Sequence, residues 1–188
     1  MQRKRITPIC QGNAELGWLR RRAGGANYGS MKERRIAIGK GTESLRFGRR
    51  SIEQQVYHIT TVTKNRTPRF SSLLAARCVV RAMKRIQESR IADTWAFVIM
   101  PDHVHWILQL QQQSTLAACV GSMKSQSAML LRNRWVSHET TWQRGFYDRA
   151  IRRHDDLVAI ARYLVANPLR AGLVSSLGDY PHWDSVWL

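Results

Sequence analysis

The first sustained hydrophobic pattern in the chain is a two-residue alternation over QQVYHITTVT, residues 54–63. β-Branched and aromatic side chains dominate this stretch, and successive side chains of a strand point to opposite faces of a sheet, so the alternation predicts a strand. In SSLLAARCVVRAMKRIQESR, residues 71–90, an apolar stripe and an Arg/Lys stripe instead recur every three to four residues. That spacing predicts a helix, which Ser71 or Ser72 would cap.

The middle of the chain continues with two strand patterns and a helix pattern. ADTWAFVIMPD and HVHWILQLQ, residues 92–111, are mostly apolar and predict two neighbouring strands with a bend at Pro101 and Asp102. STLAACVGSMKSQSAMLLRNRW then predicts a helix, with Ser114 or Thr115 as its cap.

The last third of the chain predicts one more strand and one more helix. TWQRGFYDRAIR, residues 141–152, is a short strand candidate. HDDLVAIARYLVANP predicts a helix with Asp155 near its start, where the helix dipole favours a negative charge, and with Pro168 at its end. The aromatic tail, residues 177–188, is expected to pack against the domain.

The resulting order is β-α-β-β-α-β-α, which is typical of the split βαβ pattern of ferredoxin-like and RRM-like domains. We therefore predict an α+β fold, in which an antiparallel sheet carries helices on one face and has room for a further helix on the other. No internal repeat interrupts this order.

The net charge of the chain is more informative about its function than its length is. The 188 residues fit one domain, but Lys and Arg exceed Asp and Glu so far that the formal net charge is +17. Such a charge favours a polyanionic partner, most often nucleic acid. With no long apolar run, secretory segment or lipidation motif, we expect a soluble, cytoplasmic protein with no membrane partner. Three widely spaced cysteines disfavour zinc fingers and disulfides and favour separate reduced thiols.

The charge is concentrated at the N-terminal end. Residues 1–45 are basic, contain few apolar residues and have no sustained period, so we interpret them as a largely flexible extension of the domain at 46–188. The sequence leaves open whether translation starts at Met1 or at Met31.

Two histidines interrupt the second of the paired strands. Alternation places Val104 and Trp106 on one face of that strand, and His103, His105 and Ile107 on the other. Two imidazoles on the same face and two residues apart are close enough to bind one metal ion. Pairs of this kind are also common as surface or hydrogen-bonded histidines, so the pair alone leaves both interpretations open.

The last helix carries a second candidate pair. Tyr163 and Asn167 are spaced i, i+4, so they share a helix face and could bring a phenol and an amide oxygen to one site. The alternative is a boundary tyrosine with its hydroxyl in solvent and an asparagine that ends the helix.

Three segments, taken together and in this order, resemble a known family. MPDHVHWIL, WQRGFYDRAIR and YLVANPLRAGLV are similar to the REP-associated tyrosine transposases of bacteria, which belong to the HUH superfamily of single-tyrosine nucleases. U in that motif is a hydrophobic residue, here Val104. The resemblance covers roughly residues 46–188 and includes the predicted first strand. The N-terminal segment, residues 1–45, is longer than we expect of members of this family.

The resemblance implies an HUH-nuclease fold, a function and a set of site residues. It implies that His103 and His105 bind a divalent metal, Mg²⁺ or Mn²⁺, that Tyr163 is the nucleophile, and that Asn167 supplies a further metal ligand. The implied substrate is a single-stranded DNA hairpin from a repetitive extragenic palindrome (REP), cut beside the hairpin foot with strand transfer through a phosphotyrosine. Insertion-sequence relatives are dimers, whereas this branch is expected to act as a monomer.

Basic side chains are the candidates for phosphate contacts. The cluster RFGRR, next to the first strand, is the stronger candidate, and the stripe on the first helix is equally typical of a solvated helix face. Trp142 and Trp183 could stack on bases, although core packing is the commoner role. The predicted DNA-binding residues are Arg46, Arg49, Arg50, Arg77, Arg81, Lys84, Arg85 and Lys124.

Other assignments remain open from the residues themselves. Tyr147 is a second candidate nucleophile, and Asp148 and His154 are further candidate ligands. The charge and the fold suit a nucleic-acid-binding domain without catalysis equally well. A zinc hydrolase that uses the histidine pair and a water nucleophile is the third possibility.

Overall fold

A computed structural model of the chain describes residues 51–111, 114–135, 140–152 and 156–188. The predicted extension at 1–45, the RFGRR arginines Arg46, Arg49 and Arg50, and the residues His154 and Asp155 lie outside the described part. The described residues form a five-stranded sheet and four α-helices. Their bounds are β1 Val56–Val62, α1 Leu73–Glu88, β2 Ala92–Ile99, β3 His103–Leu110, α2 Leu116–Trp135, β4 Tyr147–Ile151, α3 Leu157–Val165, α4 Asn167–Arg170 and β5 Trp183–Ser185.

The sheet has the strand order β4-β1-β3-β2-β5, and every neighbouring pair is antiparallel. This order follows from two split βαβ units, because β3 lies between β1 and β2 while β1 lies between β3 and β4. The predicted α+β split βαβ fold is therefore confirmed. The tail adds β5, which pairs with β2 at the edge of the sheet.

Helices α1 and α2 pack together on one face of the sheet. The side chains of Trp106, Leu108 and Phe97 fill this face and are fully buried against the apolar stripes of both helices. Ser72 caps α1, because its hydroxyl accepts a hydrogen bond from the Ala75 N–H at 3.2 Å. Thr115 does the same for α2, accepting from the Ala118 N–H at 3.1 Å.

The opposite face carries α3 and the C-terminal tail. Ile107 and Val98 on the sheet pack there against Ala161 and Leu164 of α3 and against Tyr180 of the tail. Asp156 caps α3 by accepting from the Ala159 N–H at 2.6 Å. The helix predicted for the second face is therefore present, and the prediction that the tail packs against the domain is confirmed.

The end of α3 differs from the prediction. The helix ends at Val165, and Pro168 lies in the first turn of the short helix α4 instead of terminating α3. Because proline has no N–H, Pro168 cannot donate to the Leu164 carbonyl four residues earlier. The side-chain amide of Asn167 takes that role and donates to the Leu164 oxygen at 2.7 Å.

Candidate active site

The second face of the sheet is not completely filled. A pocket of about 260 Å³ lies between strands β1, β3 and β4 and the junction of α3 with α4. Its walls bring together side chains that are far apart in sequence, and most of them are polar. The lining residues are His58, Thr60, Val62, Arg66, His103, His105, Tyr147, Tyr163, Leu164, Asn167 and Arg170.

Both predicted histidines face this pocket. Their ring centroids are 4.9 Å apart and the rings are perpendicular, so the two imidazoles are close enough to share a ligand. The Nδ1 atom of His103 lies 2.5 Å from an Asp102 carboxylate oxygen, and the Nδ1 atom of His105 lies 3.0 Å from the Thr60 hydroxyl. Since both Nδ1 atoms have partners, both Nε2 atoms are the ones available to the pocket.

A third imidazole, which the sequence reasoning missed, backs the pair. The Nε2 atom of His58 lies 3.3 Å from the Nδ1 atom of His105. Burial, with a smaller contribution from the positive charge of Arg149, lowers the pKa of His58 to about 4. Burial, followed by the charges of His58, His103 and Arg170, holds the pKa of His105 well below its usual value. His58 and His105 are therefore neutral at pH 7, and a neutral imidazole is what metal ligation requires.

The order of the strands in the sheet could have identified His58 as a site residue. Residues 58, 60 and 62 share one face of β1, and the register pairs Thr60 with His105 and Val62 with His103. A split βαβ domain places its first and third strands side by side. The predicted fold was therefore sufficient to place His58 on the same sheet face as His103 and His105, on the neighbouring strand.

Tyr163 reaches the pocket from α3. Its side chain is 44% exposed, which makes the phenol accessible to a large substrate. Arg170 packs over it: the guanidinium carbon lies 3.7 Å from the centroid of the Tyr163 ring. Arg170 also donates to the Tyr163 carbonyl at 2.6 Å. The guanidinium thus covers the ring and is tied to the backbone of the same residue.

Asn167 lies beside Tyr163 at the start of α4. Its Nδ2 atom donates to the Leu164 carbonyl at 2.7 Å, and its Oδ1 atom accepts from Arg170 at 2.7 Å. The i, i+4 pair predicted from sequence is thus brought to one pocket, although the two residues belong to consecutive helices.

Arg66 and Asp102 form the rim of the pocket beside His103. An Arg66 guanidinium nitrogen lies 2.9 Å from the Asp102 carboxylate, whose other oxygen contacts His103. Burial raises the pKa of Asp102, but the hydrogen bonds and positive charges of His103 and Arg66 outweigh it and hold that pKa below its usual value. The carboxylate is therefore ionised at neutral pH.

The donor set fits the divalent metal that the family resemblance implies. Two imidazoles with engaged Nδ1 atoms and one oriented amide oxygen line one pocket, and hard cations complete such a site with water and phosphate oxygens. Within the described ranges, no group of three or more His, Cys, Asp or Glu side chains is arranged as a metal site. The Oδ1 atom of Asn167 would supply an oxygen ligand beside the two imidazoles.

The two other candidates on β4, Tyr147 and Asp148, lie on opposite faces of the sheet. Tyr147 lies opposite Thr60 in the sheet and also lines the pocket. Asp148 lies opposite Ile59, whose side chain faces α1 and α2, so alternation places this carboxylate on the wrong face to be a ligand. The expectation of Asp148 as a candidate ligand is therefore not supported by its position.

The predicted DNA contacts on α1 lie on the far face. Because α1 packs on the face opposite the pocket, Arg77, Arg81, Lys84 and Arg85 are separated from it by the sheet. Lys84 lies 3.9 Å from Glu88. Whether these side chains contact DNA stays a prediction, but they do not form the walls around Tyr163.

Three further residues have structural partners. The Lys124 ammonium donates to the carbonyl oxygens of Gln143, at 2.7 Å, and of Gly145. Trp142 is buried against Phe70, and its indole N–H donates to the Ser127 hydroxyl at 3.0 Å. The Trp183 indole donates to the Leu177 carbonyl at 3.3 Å. Core packing is therefore the observed role of Trp142, as its alternative interpretation expected.

None of the described helices is both long enough and apolar enough to cross a membrane.

Comparison with known proteins identifies the family of the chain. Residues 51–167 match the model of the family described as "Transposase IS200 like". A Haemophilus influenzae protein, provisionally named a REP-associated tyrosine transposase, is 31% identical over 111 residues, which are 54% of this chain and 63% of that protein. The chain thus spans less than two thirds of this curated relative's length.

A solved structure shares the fold. The REP-associated tyrosine transposase bound to a REP hairpin superposes with a TM-score of 0.60 at 21% identity, over 81% of this chain and 82% of that one. These findings confirm the resemblance that the three sequence motifs indicated. With more than half of its length matched by the family model, the chain belongs to the IS200-like transposase family.

Proposed function

We propose that this transposase is a metal-dependent endonuclease and strand transferase that cuts single-stranded DNA through a covalent phosphotyrosine. One observation carries the proposal: Tyr163, Asn167, His103 and His105, drawn from β3 and from the α3–α4 junction, line the same pocket. A nucleic-acid-binding domain without catalysis would not need a histidine pair and an exposed phenol in one pocket.

Tyr163 is the nucleophile of the proposed reaction. Its phenolic oxygen forms a bond to phosphorus, and the bond from phosphorus to the 3′ oxygen of the preceding nucleotide breaks. The phenolic proton is lost to water, and the 3′ oxygen gains one. The products are a 5′-phosphotyrosine and a free 3′-OH, and because the phosphoester is conserved, rejoining needs no ATP.

His103, His105 and Asn167 would hold Mg²⁺ or Mn²⁺. When bound, such an ion supplies Lewis-acid polarisation of the scissile phosphate and neutralises charge that develops on it. The chain itself contributes orientation: Asp102 and Thr60 fix the two imidazoles through Nδ1, and the Leu164 carbonyl fixes the amide of Asn167. Arg170, at 3.7 Å from the Tyr163 ring, adds a positive charge where the phenol must lose its proton.

The proposed substrate is a hairpin of the REP type. The relatives named above support it, one by its name and one by the hairpin bound in its structure. The net charge of +17 suits a polyanion. We propose that Arg46, Arg49 and Arg50, outside the described residues, hold the DNA backbone, and that the active species is a monomer.

The test is trapping of the covalent intermediate. The purified protein is incubated with labelled single-stranded hairpins from the repeats that flank its gene, with Mn²⁺ or with EDTA, and resolved on denaturing gels. The wild type should form a covalent protein–DNA band with Mn²⁺ and none with EDTA. Tyr163→Phe should abolish the band, and Tyr147→Phe, the other tyrosine of the pocket, should retain it.

The same experiment can contradict the proposal. A band that survives Tyr163→Phe but is lost in Tyr147→Phe would make Tyr147 the nucleophile. Cleavage by Tyr163→Phe with no covalent band would indicate a hydrolase that uses water. Binding of the hairpin without any cleavage in Mn²⁺ would leave a DNA-binding domain.

A further inference from the structure

The turn that follows β1 has an unfavourable backbone conformation. Two consecutive residues, Asn65 with φ 55° and Arg66 with φ 52°, adopt the left-handed region that usually favours glycine. The steric conflict of Cβ with the backbone disfavours this region for residues with side chains, arginine included. Such outliers persist where the surrounding structure fixes them, and they cluster at functional sites.

The neighbouring backbone fixes this turn at both ends. The Thr63 N–H donates to the Asp102 carbonyl at 2.8 Å, and the Thr63 hydroxyl lies 2.7 Å from the Thr67 carbonyl oxygen. On the other side, the Lys64 N–H donates to the Thr141 carbonyl at 3.0 Å. The turn is therefore fastened directly to the segment that leads into β3 and the histidine pair.

The result of this conformation is the position of one guanidinium. Arg66 lines the pocket and donates to one oxygen of Asp102 at 2.9 Å, while the other oxygen of Asp102 accepts from the Nδ1 atom of His103 at 2.5 Å. A continuous chain, Arg66–Asp102–His103, thus leads from the strained turn to one of the imidazoles. A carboxylate on the far nitrogen of a metal-binding histidine fixes both its tautomer and its ring orientation.

We propose that Arg66 is a positioning residue for His103. By holding the Asp102 carboxylate in place, it keeps the His103 proton on Nδ1 and the Nε2 lone pair directed into the pocket. The inference rests on the proposed function in one respect: the ion that Nε2 would contact is the one proposed above. The Arg66–Asp102–His103 chain itself is independent of any ion.

A purely structural ion pair is the competing explanation. The Arg66 side chain is 54% exposed, and exposed ion pairs contribute little to stability. A stabilising role and an orienting role therefore make different predictions. If Arg66 only stabilises the fold, its removal should shift the unfolding transition. If Arg66 orients His103, its removal should change the tautomer of His103 and weaken metal binding, and the unfolding transition should stay nearly unchanged.

The experiment uses Arg66→Gln, with Arg66→Lys as the conservative variant and Lys64→Gln as the matched control. Lys64→Gln removes one positive charge from the same turn and leaves Asp102 with its partner. The first readout is the nitrogen NMR signature of the His103 imidazole in metal-free protein, which reports its tautomer. The second is the dissociation constant for Mn²⁺, measured by titration calorimetry.

We expect Arg66→Gln to mix the two His103 tautomers and to weaken Mn²⁺ binding by about tenfold, within the range known for partners of metal ligands. Arg66→Lys should recover part of both effects, and Lys64→Gln should match the wild type. The inference is overturned if Arg66→Gln keeps the wild-type tautomer and binds Mn²⁺ within twofold of Lys64→Gln.

A failure of the proposed function has a different signature. If the wild type binds no Mn²⁺, or if His103→Ala binds it as well as the wild type, the proposed metal site is wrong. The tautomer of His103 in Arg66→Gln still decides the role of Arg66 in either case, because that measurement needs no metal.

Discussion

The two faces of the sheet use the same strands for different purposes. On one face, α1 and α2 cover a continuous apolar layer in which Trp106 and Phe97 are fully buried. On the other, α3 and the tail cover a smaller apolar cluster and leave a pocket of about 260 Å³ lined mainly by polar side chains. Strand β3 serves both, because Trp106 and His105 are neighbours in sequence but point to opposite faces.

This difference shows how a small domain can carry chemistry without losing its core. The layer under α1 and α2 supplies most of the large buried side chains, so the second face can leave part of its surface open and polar. Buried polar groups are costly unless they are paired. The imidazoles facing the pocket are indeed paired, with Asp102, Thr60 and one another.

The largest expected effect comes from breaking the apolar face. Trp106 is fully buried, and its indole donates to the Thr94 hydroxyl at 3.2 Å. Trp106→Ala should lower the free energy of unfolding by about 3–5 kcal/mol, the usual cost of removing a large buried aromatic side chain. Urea denaturation followed by circular dichroism measures it.

His103→Ala is the matched comparison, three positions away on the same strand but facing the pocket. Its side chain is 21% exposed, so its removal should cost the fold far less while removing the proposed metal site. Equal losses of stability in the two variants would mean that the faces are not specialised in this way.

The next effect concerns the positive charge of Arg170 over Tyr163, the proposed nucleophile. Arg170 contacts the Tyr163 ring, the Tyr163 carbonyl and the Asn167 amide oxygen. Arg170→Gln should slow formation of the covalent adduct by about tenfold, which corresponds to roughly 1.4 kcal/mol in the barrier. It should also tighten Mn²⁺ binding, because a positive charge beside the proposed metal ligands repels a cation.

Single-turnover cleavage and titration calorimetry measure these two opposite changes. Arg162→Gln, an exposed arginine of α3 that does not line the pocket, is the control and should change neither. A parallel loss of metal binding and of adduct formation in Arg170→Gln would mean that the guanidinium supports the fold of the α3–α4 junction instead.

The fold could be predicted from the sequence to the extent that it depends on local periodicity. The change from a two-residue period at 54–63 to a helical period at 71–90 located β1 and α1, and Ser72 was one of the two caps named for α1. The edge strand β5 was not predicted, since three residues carry no usable period and their conformation depends on pairing with β2. Pro168 was misplaced because the Asn167 side chain replaces the hydrogen bond that proline lacks.

The candidate site could be predicted only in part for a similar reason. Alternation within β3 put His103 and His105 on one face, and helical spacing brought Tyr163 near Asn167. His58 required the neighbouring strand to be known. Arg66 and Arg170 could not be anticipated, because one depends on a left-handed turn and the other on a long side chain that folds back over α3.

A smaller effect is expected from the charges on the far face. Arg81→Gln with Arg85→Gln removes two charges from α1 that the sheet separates from the pocket. If they contact the hairpin backbone, as predicted from the sequence, affinity should fall and the dependence of log affinity on log salt should flatten by about 0.7–0.9 per contact. The cleavage rate at saturating DNA should be unchanged.

Filter binding over a salt series and single-turnover cleavage separate these two quantities. Arg81→Lys with Arg85→Lys preserves the charge and should keep the wild-type slope. An unchanged slope in the glutamine variant would assign the basic stripe of α1 to solvation, and a slower cleavage rate would show that the two faces are coupled.

The smallest expected effect is a dependence of stability on pH that comes from His182, a residue of the C-terminal tail. His182 is buried beside Tyr180, their ring centroids being 5.2 Å apart, and burial together with the positive charge of Arg77 lowers its pKa below the ordinary value of 6.5. The unfolded chain therefore binds a proton at a higher pH than the folded one does. Between those two pKa values the unfolded state holds more protons, so stability is fully present above pH 6.5 and falls as the pH drops.

His182→Phe keeps an aromatic ring against Tyr180 and removes the titrating group. Urea denaturation of metal-free protein at pH 7.5 and pH 5.0 should show a decline in stability for the wild type and a smaller decline for His182→Phe. The variant should retain part of the decline, because His58 and His105 on the pocket face also have lowered pKa values. An identical decline in both proteins would mean that His182 does not contribute to the acid sensitivity of the fold.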